Sequence, residues 1–458
     1  MSNRYIFIFL AASILATSST CTKNAEPETP AVDPEENAEL APLTSKVSVN
    51  QDWVFESRPE IIIHVENPNA KAVEAAATAK ITTDKGAAVT SVELAVEVAG
   101  NGSEDIVLTT PDELPAGYYK ANCRINNRTV KNFCFGISPM KIVSAPDKQD
   151  DFDAFWEDAK KQLEAVEMNP VLTEIPSRST EAQKVYLVEM QSVPDGPDSD
   201  PVTIRGYYLE PQDGEKHPVL VHFYGYDTLK NPSFLTCPSG SSAPEYAEFY
   251  LSTRGQMINH RAADKRTSDG LGDFLNPYDD WFAFEFGNKD SYYYRGAFMD
   301  CVQAVRFMAT RPTSDMDNLF GEGSSQGGAF SYAAAALSDY PFVAIAPCVA
   351  FLGDFPDYFD IVSWPGDVAK KNKGSMTEEE MYAFLSYFDT KNLATRINCA
   401  VIACSGLQDQ TCPPHTNIAP FNNLQTADKE FYFYPEMGHE IPGNWSSRYT
   451  KFFKARMK

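Results

Sequence analysis

From residue 151 onward the chain alternates short apolar runs with amphipathic segments, and this rhythm constrains the fold more than any other feature. Strand-like runs stand at residues 185–190, 202–209, 218–223, 249–253, 319–323, 342–349, 399–405 and 431–434. Helical patterns lie at 295–309, 326–337, 377–388, 417–424 and 445–457. Ahead of them Phe152, Phe155, Trp156, Ala159 and Leu163 recur at the spacing of one helix face. Two early strands followed by repeated strand-then-helix units predict a mostly parallel sheet covered on both faces, an α/β fold.

Residues 46–145 follow a different rule. Short β-type runs at 60–65, 79–83, 91–98, 105–108, 118–125 and 128–137 are punctuated by turn signals at Gly100-Asn-Gly102, Pro115-Ala-Gly117 and Asn126-Asn127. About seven short strands in about a hundred residues predict a small all-β immunoglobulin-like sandwich in front of the α/β domain, which takes 146–458. Residues 1–20 read as a signal peptide, with Arg4, the apolar stretch 5–16 and small residues leading to Cys21. Small residues directly before a cysteine resemble a bacterial lipoprotein cleavage site, so Cys21 is expected to carry a lipid anchor. The run is too short to span a bilayer. Residues 21–45 read as a disordered linker; six acids, one Lys and four prolines stand in 22–45 without an apolar period. The expected location is therefore an exported lipoprotein of the outer membrane, periplasmic or on the cell surface, tied to the membrane through the anchor alone.

With 39 basic against 63 acidic side chains, the formal charge is −24. That balance disfavours nucleic acid as a partner, because phosphate neutralisation needs a basic face. The other eight cysteines match no metal-ligand spacing. Cys348, Cys399 and Cys404 lie in apolar runs and read as small core residues.

Chemistry enters at Gly323-Ser-Ser-Gln-Gly327, a G-x-S-x-G pentapeptide. It follows the apolar Leu319-Phe320 and opens the Ala-rich helical run at 326–337, the strand–turn–helix context of a nucleophile elbow. Ser325 is then the candidate nucleophile. A hydroxyl needs a base to take its proton and a carboxylate to orient that base. In the α/β-hydrolase chain order of Ser, acid, His, only His415 and His439 lie downstream. His439 follows the last strand-like run and is the candidate base; His415 in Cys412-Pro-Pro-His415 reads as a capping or surface residue. Asp409, just beyond the run at 399–405, is the candidate acid. The oxyanion donors are expected to be the backbone N–H groups of Gln326 and of Tyr226, in the loop after the third strand.

These residues resemble the acetyl xylan esterases and cephalosporin C deacetylases, a carbohydrate esterase group of α/β-hydrolases, over about residues 150–458. The resemblance rests on Arg254-Gly-Gln256, Gly323-Ser-Ser-Gln-Gly327 with Gly328, and His439-Glu440 in the family's order. It is extended by Asp290-Ser-Tyr-Tyr-Tyr-Arg-Gly296, Ala334-Ala-Ala-Leu-Ser-Asp339, Leu385-Ser-Tyr-Phe-Asp389 and Gly406-Leu-Gln-Asp409 before Cys412-Pro-Pro414. It implies Ser325, Asp409 and His439 as the triad and Tyr226 and Gln326 as oxyanion donors. Tyr224 stands where the family often has His, and the N-terminal sandwich is absent from compact members. Those members form ring-shaped hexamers, so a homo-oligomer is left open, with the added domain as an obstacle to the ring. Arg254 and Gln256 read as scaffold.

The expected function is that of a serine esterase removing O-acetyl groups from xylan or xylo-oligosaccharides through an acetyl-enzyme, with no metal or organic cofactor. Its alternatives are a broad small-ester deacetylase and a glycan-binding surface lipoprotein.

Overall fold

A computed structural model of the 458-residue chain describes residues 40–49, 52–226, 234–259, 278 and 280–458. Residues 1–39, on which the signal-peptide and Cys21 readings and most of the linker reading fall, lie outside the described residues.

The first eight strands are β1 (Thr44–Val49), β2 (Val54–Phe55), β3 (Glu60–Glu66), β4 (Val73–Thr83), β5 (Ala88–Val98), β6 (Ser103–Thr109), β7 (Gly117–Ile125) and β8 (Arg128–Ile137). They make two sheets, ordered β1-β3-β6 and β2-β8-β7-β4-β5. The chain crosses between the sheets from β1 to β2, from β2 to β3, from β3 to β4, from β5 to β6 and from β6 to β7, the Greek-key connection of an immunoglobulin-like sandwich. Period-two alternation builds its core: Ile61, Ile63 and Val65 of β3 and Ala75, Ala77, Ala79 and Ile81 of β4 are buried. The outer edge of β8 is only partly covered. β2 pairs with it in parallel at Gly136 and Ile137 and reaches no further back along the strand.

The rest of the chain is built on α1 (Phe152–Ala165), β9 (Val171–Glu174), β10 (Gln183–Pro194), β11 (Pro201–Pro211), β12 (His217–Phe223), β13 (Phe234–Thr236), β14 (Ala247–Ser252), β15 (Met257–Asn259), α2 (Tyr293–Ala309), β16 (Ser314–Ser324), α3 (Gln326–Leu337) and β17 (Ala344–Cys348). It continues with α4 (Phe355–Ile361), α5 (Gly366–Asn372), α6 (Glu378–Leu385), α7 (Thr390–Ala394), β18 (Ala400–Gly406), α8 (Pro414–Asn423), β19 (Lys429–Tyr434) and α9 (Trp445–Lys454). Nine strands form one sheet, ordered β19-β18-β17-β16-β12-β14-β11-β10-β9. From β14 to β19 the pairs are parallel, whereas β11, β10 and β9 run antiparallel at one edge. This is the α/β-hydrolase sheet, with the expected α/β class and the leading sandwich both present. The predicted face of α1 is the buried one: Phe152, Phe155, Trp156, Ala159 and Leu163. α3 is buried on nearly every side, as its run of alanines and lack of charge require of a helix sealed against the sheet.

Residues 43–458 pack as one unit. Asn422 Nδ2 donates to the carbonyls of Pro139 (3.1 Å) and Ile142 (2.9 Å), tying α8 to the end of the sandwich. Lys85, in the β4–β5 turn, pairs with Asp357 of α4 at 2.5 Å. Between the outer face of the five-stranded sheet and the α/β part lies a cavity of about 450 Å³, walled by Lys80, Lys120 and Phe133 on one side and Val362, Leu407 and Pro413 on the other. The eight described cysteines are free thiols.

Candidate active site

The site forms where the parallel strands end, at their carboxyl edge, the usual place for chemistry in an α/β sheet. β16 ends at Ser324 and α3 begins at Gln326, so the whole reversal falls on Ser325, held at φ 58° and ψ −122°. A positive φ in a non-glycine residue is strained, and here its neighbours enforce it. Ser325 N–H donates to the Cys348 carbonyl at 2.9 Å, and its carbonyl accepts from Phe351 N–H at 3.0 Å. The flanking glycines allow the close approach. A Cβ on Gly327 would stand 2.2 Å from the Phe223 carbonyl oxygen, and one on Gly323 would stand 2.4 Å from the Gly327 oxygen.

β18 and β19 bring the other two candidates to the same edge. His439 Nε2 lies 2.9 Å from Ser325 Oγ, and Nδ1 lies 2.8 Å from Asp409 Oδ2. Asp409 Oδ1 accepts from the backbone N–H groups of Thr411 and Cys412, each at 2.8 Å, so the carboxylate is fixed by its own turn and offers one oxygen to the imidazole. With Nδ1–H donating to Asp409, Nε2 is left as the acceptor for the serine proton. The Asp409 side chain is wholly buried, whereas that of His439 is 26% exposed.

The oxyanion candidates flank the elbow. Gln326 N–H opens α3, whose N-terminal dipole favours negative charge. Tyr226 stands three residues beyond β12. Its phenol donates to Asp280 Oδ1 at 2.6 Å, and its ring meets Trp281, Phe351 and Trp364 edge-on. Burial, reinforced by Asp280, pushes the Tyr226 phenol well up, so it stays neutral. Gln326 Oε1 accepts from Tyr294 O–H at 2.7 Å, which locks the residue after the nucleophile.

Arg254 and Gln256 sit behind this wall. The Arg254 side chain is fully buried; Nε and Nη2 form a fork on Asp300 at 3.0 and 2.7 Å, and Nη1 reaches Asp195 at 2.8 Å. Gln256 Nε2 donates to the Gly225 carbonyl at 3.4 Å, one residue before Tyr226.

His415 departs from its reading as a capping or surface residue. It is buried at the start of α8, with Nε2 2.9 Å from Asp354 and 3.1 Å from Asp357. These three residues could hold a cation, but Lys391 already lies 2.9 Å from Asp354, and Lys85 neutralises Asp357. Burial lowers the His415 pKa, yet the two carboxylates outweigh it and raise it from 6.5 to about 9. A raised histidine stabilises the fold fully below its unfolded value, and the contribution is lost as pH climbs through the folded value. Urea midpoints should therefore fall between about pH 6.5 and 9, and less steeply in His415→Gln. His222, raised likewise to about 9 by Glu248 and Glu322, keeps part of that slope in the variant. An unchanged slope would refute the assignment to His415.

With this geometry in view, the family follows. The family model described as acetyl xylan esterase (AXE1) matches residues 140–456. The chain belongs to the acetyl xylan esterase family. Acetyl esterase Axe7A of Xylanibacter ruminicola is 26% identical over 353 residues, which is 73% of this chain and 72% of that protein. An acetyl xylan esterase from Paenibacillus sp. R4 superposes with a TM-score of 0.57 at 26% identity, covering 70% of this chain and 98% of that one. Acetyl xylan esterase 1 from Thermoanaerobacterium sp. shares the fold with a TM-score of 0.55 at 24% identity, again over 70% and 98% of the two chains. Within the acetyl xylan esterase family's motifs, Tyr292, Tyr293 and Tyr294 are buried supports. Tyr293 O–H donates to the Arg254 carbonyl at 3.0 Å, and Tyr292 O–H to that of Phe282 at 3.0 Å.

Sequence reasoning missed Asp280 as the anchor of Tyr226, and it missed Gln408. Asp280 carried no signal, and Gln408, although inside the Gly406-Leu-Gln-Asp409 motif, carried none for its role: an Asp and a Gln in loops become partners only when distant strands fold beside them.

Proposed function

We propose that this chain is a serine esterase that removes O-acetyl groups from xylan or xylo-oligosaccharides. The observation that carries the reading is the continuous relay Ser325–His439–Asp409 at the edge of three parallel strands, in a chain of the acetyl xylan esterase family. Ser325 Oγ attacks the ester carbonyl while His439 Nε2 takes its proton. Asp409 holds the imidazole and balances the imidazolium. The backbone N–H groups of Gln326 and Tyr226 receive the charge that develops on the carbonyl oxygen. His439 returns the proton to the departing sugar hydroxyl, leaving acetyl on Ser325; water, deprotonated by His439, then releases acetate and restores the serine.

The N-terminal sequence supports an exported, lipid-anchored form, with Arg4, the apolar stretch 5–16 and Cys21 as its basis.

Purified protein should hydrolyse a chromogenic acetate and release acetate from acetylated xylo-oligosaccharides. Acetate release measured over oligosaccharides of rising length and over polymeric xylan sets the substrate. Activity confined to small esters would favour a broad deacetylase, and no acetate release from any ester would overturn the proposal.

A further inference from the structure

Among the described residues, the side chain of Gln408 fastens the catalytic acid's loop to the sandwich; Gln408 stands inside the Gly406-Leu-Gln-Asp409 motif, but the motif gives no sign of this contact. Along the outer edge of β8 and just past its end, Gly136 N–H donates to the Trp53 carbonyl at 3.0 Å and Ser138 N–H to the Phe55 carbonyl at 2.7 Å. The next outward-facing residue, two positions back from Gly136, is Cys134, beyond the reach of β2. There the side-chain amide of Gln408 takes the place of a strand. Gln408 Oε1 accepts from Cys134 N–H at 2.8 Å, and Nε2 donates to the Cys134 carbonyl at 3.0 Å. The same Nε2 donates to the Pro435 carbonyl at 2.7 Å, and Gln408 N–H donates to the Met437 carbonyl at 2.9 Å. One residue therefore joins three segments: the sandwich edge, the turn that carries Asp409 as its next residue, and the turn that leads to His439.

Packing does not duplicate this fastening. The sandwich side of residues 407–410 borders the cavity of about 450 Å³, so close-packed side chains do not hold the loop there. The nearby Lys131–Glu436 pair, at 3.0 Å with the Glu side chain 75% exposed, is a solvent-screened contact of little strength.

We propose that Gln408 is a positioning residue for the Asp409–His439 pair, and that through it the sandwich forms part of the catalytic apparatus. It touches no reacting atom. Backbone bonds from Leu407 N–H to the Tyr434 carbonyl (3.0 Å) and from Gln408 N–H to the Met437 carbonyl join the two loops to each other; the Gln408 side chain fastens the joined pair to the sandwich edge and adds the bond to Pro435. The loop ends must stay within hydrogen-bond reach for proton transfer, and a displacement of about 1 Å in such a pair can cost on the order of a hundredfold in rate. The proposal rests on the esterase reading above.

The test compares full-length Gln408→Ala with Gln408→Met, which fills a similar volume without an amide. Both should lower kcat on a chromogenic acetate by roughly ten- to a hundredfold, with KM within about twofold of wild type. Hydrogen exchange at residues 435–440, which is independent of turnover, should rise in both variants. Recovery of kcat in the Met variant would assign the role to packing and overturn the proposal. So would wild-type kcat and exchange in both, or a kcat loss only in proportion to protein unfolded at the assay temperature. An inactive wild type would fail the esterase reading itself, while the exchange measurement would still decide whether Gln408 holds the loop.

Discussion

Ser325→Ala should lower turnover of a chromogenic acetate by about a millionfold while leaving KM nearly unchanged, because the variant loses the group that forms the covalent intermediate but keeps the site that binds the ester. The residual rate should still exceed the uncatalysed one by roughly a thousand- to ten-thousandfold, since Gln326 N–H and Tyr226 N–H remain to receive charge. Alanine also isolates the chemistry from the scaffold. The elbow is held by the backbone bonds of Ser325 to Cys348 and Phe351, which no side-chain change removes. Steady-state kinetics read beside the unfolding midpoint check both halves. A rate within tenfold of wild type would remove Ser325 from the chemistry.

Much of this site was legible before any coordinates. The pentapeptide around Ser325, the apolar run before it and the Ala-rich run after it are local signals. Strand–turn–helix geometry follows from them, and 326–337 matches the helix to the residue. His439 was separable from His415 by topology alone, because it follows the last strand. What stayed hidden depends on contacts between distant segments. His415 reads as a surface cap because nothing near it in sequence shows that Asp354 and Asp357 will face it at 2.9 and 3.1 Å. The reach of β10, which extends over Gln183–Pro194, was likewise underestimated. Its ends carry polar residues whose pairing with β11 outweighs their weak strand preference. Gln408 is the extreme case, since its partners lie 274 and 27 residues away.

The second large effect is expected in stability. Asp300→Ala should destabilise the fold by about 3–5 kcal/mol, read from denaturant midpoints. The Asp300 side chain has no exposure, and it accepts from Arg254 Nε and Nη2, from Arg254 N–H at 3.0 Å and from Ser192 O–H at 2.6 Å. Removing it leaves a buried guanidinium with, among the described residues, Asp195 and the Val193 carbonyl as its remaining partners. The double variant Arg254→Met with Asp300→Leu should recover much of the loss, because replacing both charges with apolar volume removes the uncompensated ion. If the double variant is no more stable than the single one, the cost lies in shape rather than charge. Activity is worth following in the same proteins, because the loop of Arg254 also carries Gln256, whose amide holds the Gly225 carbonyl beside Tyr226.

The left-handed backbone at Ser325 has a consequence for how this sequence can drift. A φ of 58° suits glycine far better than serine. A variant with glycine there would relax the elbow and tend to gain stability as it lost its nucleophile. Selection acting on folding alone would therefore erode this position toward glycine, and the serine endures only in lineages where its turnover is itself under selection.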